Sequence, residues 1–345
     1  MPSFTGCTEC GVPKRIAFMH RWRDDGVLES RMGRARGILI ERGAFAGMLD
    51  RIAEALGIPI DHIIIDAKRR DAKLYVDDVV SGIMGAIVRL RPFRRLGYVI
   101  MIRQAATIGL AKAQLVSYRP GKRFIGRDCP VYHPILFTGD VCGAFESLER
   151  KRARPAYGPI GEAWYAELHV DECLAGEERL ELERTAEVAA RAGYERCGKC
   201  GVPRGVGGFR WDLDQGKIID TDTGEWIIYI NVEGVNTILR ELEKELGEEI
   251  PLLAHQFTAE YYSRLARERH GSFLSDLSFM KLRGFGVPDR DDPDEAELRE
   301  GVLVRNAFNA PMVAGMVAAV YGAEGKRFAW EVPREGKVLV REEAS

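Results

Sequence analysis

No apolar run approaches the roughly 18 residues a helix needs to cross a bilayer. Met1-Pro2-Ser3-Phe4-Thr5-Gly6 lacks the charged and apolar regions of an export leader, so a cytoplasmic location is expected. An excess of either charge is missing too. The 50 Lys and Arg against 52 Asp and Glu leave a net −2, with no global basic field to hold nucleic acid or an anionic membrane. There is no low-complexity tract, no Ser-His-Asp order, no G-x-G-x-x-G, no Walker loop and no H-E-x-x-H, which removes the commonest motif-bearing enzymes. Gly205-Val206-Gly207-Gly208 is glycine-rich but opens no helix, so a phosphate loop is not expected.

What remains is a chain of 345 residues, 46% hydrophobic and 30% charged, long enough for two domains that each bury a core. It carries seven cysteines, an odd number that includes two C-x-x-C pairs. In a cytoplasmic chain this pattern favours metal binding or redox chemistry over a disulfide framework. The pairs sit in a repeated heptapeptide, Cys7-Thr8-Glu9-Cys10-Gly11-Val12-Pro13 and Cys197-Gly198-Lys199-Cys200-Gly201-Val202-Pro203. The offset of 190 residues also relates Gly26 to Gly216, Leu49 to Leu239, Leu56-Gly57 to Leu246-Gly247 and Ile60 to Ile250. An offset held over that length is the mark of an internal duplication. The expected division is a first repeat over 1–190 and a second over 191–345.

The first repeat opens on its knuckle and then two β-capable segments, Arg15 to Trp22 and Gly26 to Ser30, split at Asp24-Asp25-Gly26. Ile38-Leu39-Ile40 reads as a strand. Phe45, Met48, Leu49, Ile52 and Leu56 recur at helical spacing and stop at Gly57. Helices are expected from Asp66 to about Leu90 and from Leu96 to about Gly109. The basic break Arg89 to Arg95 lies between them and reads as a solvated connection. Strands are expected over Ala113 to Tyr118 and Arg123 to Arg127, then an irregular link Cys129 to Pro134, then a helix from Ile135 to about Arg150. A closing strand pair is expected over Glu162 to His169 and Glu178 to Arg184, and Arg184 to Arg196 as a helical connection. The second repeat reads the same way, with strands Trp211 to Ile219 and Trp226 to Ile230 and helices around Val235 to Leu246 and His255 to Arg269. An exposed loop, Asp289 to Glu297, and a hairpin, Phe328 to Val332 with Val338 to Arg341, complete it. The fold class expected is α/β (α+β): two duplicated domains, each a small knuckle-bearing β unit plus an antiparallel sheet with packed helices, arranged as a pseudo-dimer within one chain.

The ends of the repeats match as well. Arg127-Asp128-Cys129-Pro130-Val131-Tyr132-His133-Pro134 aligns with Arg305-Asn306-Ala307-Phe308-Asn309-Ala310-Pro311, and each is followed by a Gly-containing helix and a hairpin. This arrangement resembles the 4-vinyl reductase-type domain family, whose members end in an Asn/His-Pro link, a Gly-containing helix and a β-hairpin. The nearest stretch to the family's hairpin motif is Leu168 to Glu181. The resemblance covers about two-thirds of each repeat and leaves out the knuckles. It implies an α/β domain with helices on an antiparallel sheet, in a family that senses small aromatic molecules or is linked to tetrapyrrole processing. It also implies a zinc site of a helix Cys with a Glu and two Cys of the hairpin. Cys142 and Cys173 match two of these positions, Leu180 or Glu181 stands at the last Cys, and His169, Asp171 or Glu172 stand in for the Glu.

Three constellations carry the chemistry. In a C-x-x-C-G turn both sulfurs can face one metal, and the glycine accepts the positive φ that aims backbone N–H groups at thiolates. One pair supplies half of a structural zinc site, so Cys7, Cys10, Cys197 and Cys200 are expected to converge on one zinc that clamps the repeats. Two separate sites, with His20 the only nearby completing ligand, a redox dithiol, and simple reduced turns remain open. The second constellation is a metal or ligand site at His133, Cys142, Cys173 and His169, with Cys129 near it; its alternative is buried cysteine acting as a small hydrophobe. The third is an aromatic pocket of Tyr75, Tyr132, Phe137 and Trp164, set against the plain reading as core. The reading favoured is a non-catalytic sensor or carrier for a small hydrophobic, aromatic or tetrapyrrole-like molecule. A reductase acting on a vinyl or aromatic substrate and a zinc-knuckle nucleic-acid binder are the alternatives. No membrane partner is expected, and a homodimer of such chains stays open.

Overall fold

Short apolar runs punctuated by glycine break the chain into brief strands and medium helices, and the computed structural model describes residues 6–31, 35–80, 82–171, 184–268, 276–322 and 326–343. The first half forms α1 (Lys14–Met19), β1 (His20–Trp22), β2 (Leu28–Ser30), β3 (Arg36–Glu41), α2 (Arg42–Leu56), α3 (Asp61–Val79), α4 (Gly82–Arg89) and α5 (Arg94–Thr107). It continues with β4 (Ala111–Arg119), β5 (Arg123–Val131), α6 (Pro134–Glu149), β6 (Ala153–Ile160) and β7 (Ala163–Val170). After a 3-10 turn at Arg204–Gly208, the second half forms β8 (Phe209–Asp212), β9 (Lys217–Asp220), β10 (Trp226–Asn231), α7 (Val232–Leu246) and α8 (Ile250–Glu268). It ends with α9 (Ser278–Arg283), β11 (Val287–Pro288), α10 (Glu295–Glu300), β12 (Val302–Arg305), α11 (Ala310–Tyr321), β13 (Phe328–Arg334) and β14 (Lys337–Glu342).

Among the described residues the chain is a mixed α/β structure with eleven α-helices and antiparallel sheets. A six-stranded sheet runs β1-β2-β3-β10-β9-β8, so β3 and β10 meet at its centre. Leu39 faces Tyr229, with Ile38 opposite Ile230 and Ile40 opposite Ile228. Two four-stranded sheets run β4-β5-β7-β6 and β11-β12-β14-β13, with the same connection order. In each, a helix (α6 or α11) leads from the second strand to the third. Helices α2 and α7 are both 15 residues long and follow directly from β3 and β10; α3 and α8 are both 19 residues long. The core does not divide at the middle of the chain. One apolar cluster runs from Phe45 and Leu49 through Ile228 and Ile238 to Val313 and Met316.

The helix over residues 42–56 ends where the sequence places it, at Gly57 with φ 65°. Other expectations need correction. Arg15 to Met19 is helical and only His20–Trp22 is extended. The irregular link is shorter than expected, because β5 runs on to Val131. The closing hairpin of the first half is β6 with β7, paired from Ala153 opposite Val170 to Ile160 opposite Ala163. The expected second strand, Glu178 to Arg184, has residues 178–183 outside the described residues. Residues 184–195 are not helical. Their backbone is bonded elsewhere: Val188 exchanges two hydrogen bonds with the Asn306 side chain, and Ala192 N–H donates to Asp24. The expected acidic loop contains the start of α10, capped by Asp294 in a reciprocal box with Glu297.

Candidate metal centre and ligand cavity

The two knuckles are built alike. Cys7 N–H donates to Val12 O at 2.8 Å and Gly11 N–H to Cys7 O at 2.9 Å; Cys197 N–H donates to Val202 O and Gly201 N–H to Cys197 O, both at 2.9 Å. Gly11 and Gly201 have φ of 75° and 73°, the left-handed conformation such a turn requires. The turns face each other. Cys7 Sγ lies 3.7 Å from Cys197 Sγ and Cys10 Sγ 3.5 Å from Cys200 Sγ, and all four sulfurs lie within 4.8 Å of one another. A tetrahedral zinc with Zn–S near 2.3 Å has sulfurs about 3.8 Å apart, whereas a disulfide needs about 2.05 Å. The spacing therefore fits a metal with four sulfur ligands.

The surroundings tie one knuckle to the other. Glu9 accepts from Gly198 N–H at 3.3 Å and from Arg204 at 2.7 Å, while Lys199 donates to Thr8 Oγ1 at 2.8 Å. Backbone N–H groups of Cys10 and Glu9 pull the Cys7 thiol down to about 6. Burial pushes Cys200 up to about 12 and raises Cys10. Without a cation the cluster holds its negative charge unevenly, and a divalent metal is what would let all four sulfurs ionise. His20 is not part of this group. It is buried on β1 with its ring 4.4 Å from that of Tyr229, and burial drives it down to about 4.

The second constellation does not assemble among the described residues. Cys142 is fully buried between Phe145, Val76 and Leu168, and burial pushes its thiol up to about 12. His169 sits on β7 beside Glu167, at 2.8 Å. Cys129 is exposed and donates to Glu162 O, and Cys173 lies outside the described residues. His133 is a helix cap. Its Nδ1 accepts from Leu136 N–H at 3.1 Å and its Nε2 bonds Asp50 Oδ1 at 3.0 Å. Asn309 caps α11 identically, accepting from Met312 N–H at 3.1 Å. His133→Ala should cost about 1 kcal/mol in denaturant unfolding, and His133→Asn should restore most of it. Metal content should not change; a loss of metal in either variant would return His133 to the list of ligands.

A cavity of about 110 Å³ lies between α3, α5, α6, β4, β5 and the end of β10. Its apolar wall includes Val76, Ile102, Ala105, Ile108, Phe124 and Phe137. Of the aromatic residues expected to line a pocket, Tyr75 and Phe137 do so. Tyr132 stands behind the wall with its hydroxyl on Asp140 at 3.0 Å, and Trp164 donates to Thr138 at 3.0 Å outside the lining.

The polar end of the cavity was not foreseen. Lys68 Nζ is buried with Asp71 at 2.6 Å and Asp140 at 3.2 Å, and Asn231 reaches Asp71 at 3.3 Å. Burial alone would lower the Lys68 pKa, but Asp140 and Asp71 outweigh it and raise it. Burial lifts Asp140 to about 6 against the pull of Lys68. Asp128 also lines the cavity. Strand alternation places it on the buried face of β5 with Phe124 and Gly126, beside a register shift between β4 and β5. It is 2% exposed, its Oδ2 has no hydrogen-bond partner, and burial lifts it to about 7 against one backbone N–H from Gln114.

An acid raised in the fold above its unfolded value of 3.8 weakens the fold as pH climbs from about 4 to about 7. At about 1.4 kcal/mol per unit the ceiling is about 4 kcal/mol, part of which a buried amide would forfeit. Asp128→Asn should therefore stabilise the chain by about 1–3 kcal/mol above pH 7 and by almost nothing near pH 4. Urea unfolding at the two pH values checks this, and equal effects at both would contradict it.

In the basic break Arg89 pairs with Asp77 at 2.7 Å and Arg94 with Glu149 at 2.6 Å, while Arg91 and Arg95 are exposed as a solvated connection requires. No helix among the described residues is long and apolar enough to cross a membrane. No family model matches this chain, and neither a curated protein nor a solved structure matches it.

Proposed function

We propose that the chain is a cytoplasmic, non-catalytic tandem of two repeats, 1–190 and 191–345, clamped by one structural zinc, which holds a small aromatic molecule as a sensor or carrier. Support for the tandem comes from the central pairing. Leu39 lies opposite Tyr229, its own counterpart at the 190-residue offset, as a two-fold axis between repeats requires. The two four-stranded sheets and the paired lengths of α2 with α7 and α3 with α8 support the same reading. In this arrangement the first repeat carries a domain like the 4-vinyl reductase-type family it resembles, and the second repeat carries a degenerate version of it. Zinc is the metal best matched to four thiolates in a closed site, and its role is architectural.

The observation that carries the ligand reading is the cavity. Its volume is comparable to the roughly 150 Å³ engineered apolar cavity that takes up benzene, which favours a single-ring compound over a tetrapyrrole. The two repeats are not equivalent in this respect. Tyr262 and Arg283 fill the space around Glu41 at the end of β3, while Asn231 at the end of β10 borders the open cavity. Because Tyr229, Ile230 and Asn231 come from the second repeat, an occupant would touch both.

Toluene uptake followed by protein NMR tests the proposal. Shifts confined to methyls of Val76, Ile102 and Ile108 are expected, and Ala105→Leu should abolish them. Absence of shifts at saturating toluene would contradict the ligand reading.

A further inference from the structure

The cavity has an unusual balance of charge. The cavity is lined by one ammonium, Lys68, and three carboxyl groups, and two of these, Asp71 and Asp140, already hold the ammonium. No other Lys or Arg lines the cavity among the described residues. The third carboxyl, Asp128, stands on a different wall, on β5, with Oδ2 buried and without a partner. A buried carboxylate without a counter-ion is costly, and such groups occur where a ligand supplies the missing charge. The rest of the wall is apolar and aromatic, including Phe124 four residues before Asp128 on the same face of the strand.

We infer that the cavity selects a single-ring aromatic compound bearing a protonated amine, with the Asp128 carboxylate as the group that receives the ammonium. This rests on the reading of the cavity as a small-molecule site and names the class of molecule it takes. The ring fills the apolar wall, and the ammonium donates to Oδ2 in a charge-assisted hydrogen bond. Acids are rejected for two reasons. A carboxylate head would add a fourth negative group, and Lys68 cannot turn to it without abandoning Asp71 and Asp140.

Ammonium binding also makes a statement about pH. Among the described residues, the groups lining the cavity besides Asp128 that titrate or carry charge are Lys68, Asp71 and Tyr75 on α3, Tyr98 on α5, Asp140 on α6 and Tyr229 on β10. Lys68 stays protonated, burial keeps the tyrosines neutral, and burial lifts Asp128 and Asp140 into this range. Both become more negative as pH rises, so amine binding should tighten from about pH 5 to about pH 8, below the point where the amine itself loses its proton.

Calorimetry on the full chain at about pH 8 tests the inference with benzylamine, its neutral isostere benzyl alcohol, and benzoate. Benzylamine should bind about tenfold more tightly than benzyl alcohol or better, and benzoate should not bind. Asp128→Asn should remove that advantage by weakening benzylamine about tenfold while leaving benzyl alcohol within about threefold. Toluene uptake by the same variant shows that the cavity is intact. Equal affinities for the amine and the alcohol, or an Asp128→Asn variant that binds benzylamine as the parent does, would overturn the assignment while leaving the ligand site standing. If toluene, benzylamine and benzyl alcohol all fail to bind, the ligand site itself is wrong and the assignment falls with it.

Discussion

Replacing Cys7 and Cys197 together by serine is expected to abolish metal binding and lower the thermal midpoint by roughly 10 °C or more. At about 2 °C per kcal/mol in a chain this long, that is on the order of 5 kcal/mol. It is only part of the roughly 10–16 kcal/mol that binds structural zinc in small domains. The reason for the shortfall is in the fold. The knuckles are anchored by Val12 and Val202, both buried in the main apolar cluster, and the halves of the chain also share the β3–β10 pairing. The double variant should therefore melt early yet keep its far-ultraviolet circular dichroism at 25 °C. A strong chelator should shift the parent protein to the same midpoint and leave the variant unchanged. A parent protein indifferent to chelator would contradict the clamp.

The second large effect is expected at Arg283, one of the largest fully buried side chains. Its guanidinium bonds Glu41 at the end of β3 and Asp220 on β9, while Tyr262 on α8 donates to the other oxygen of Glu41. Burial raises Glu41, and Arg283 is the main group opposing that rise. Arg283→Met fills similar space but leaves two carboxyls facing each other in the core, and the loss should be about 3–5 kcal/mol. The sign of the pH dependence follows. Without Arg283 the buried Glu41 loses the main group that opposes its upward shift, so the variant is penalised most at neutral pH and recovers as pH falls. Adding Glu41→Gln to the variant should recover part of the loss at neutral pH and little at low pH. Denaturant titrations at both pH values read these differences, and a loss below about 1 kcal/mol would mean the network is not structural.

The parts of this architecture that were legible share one property: their local signal and their tertiary role agree. The helix over 42–56 carries apolar residues at helical spacing and a glycine stop, and it buries that face. The knuckles were legible because they occur twice, and only the pairing made four ligands out of two. Where local and tertiary signals diverge, the sequence misleads. Strand β6 contains Pro155, Gly158 and Pro159, a poor strand by composition, yet among the described residues it lies at the edge of its sheet, where proline is tolerated. Residues 184–195 have a helix-forming composition, yet Asn306 and Asp24 claim their backbone groups.

The polar end of the cavity was missed for a related reason. A search for aromatic residues finds Tyr75 and Phe137 but passes over Lys68, Asp71 and Asp128, whose charges read as solvated surface. The available signal was phase. Extending the strand at Arg123 by one residue past Arg127 puts Asp128 on the inward side with Phe124, and Lys68, Asp71 and Tyr75 share one face of a helix with Ala72.

The clamp between the two knuckles is the central claim about the metal centre, and native mass spectrometry of anaerobically purified protein tests it most directly. The expected spectrum shows one zinc per chain, with Cys7, Cys10, Cys197 and Cys200 protected from alkylation until a chelator is added. A chain without metal, whose four knuckle thiols alkylate freely, would contradict the account.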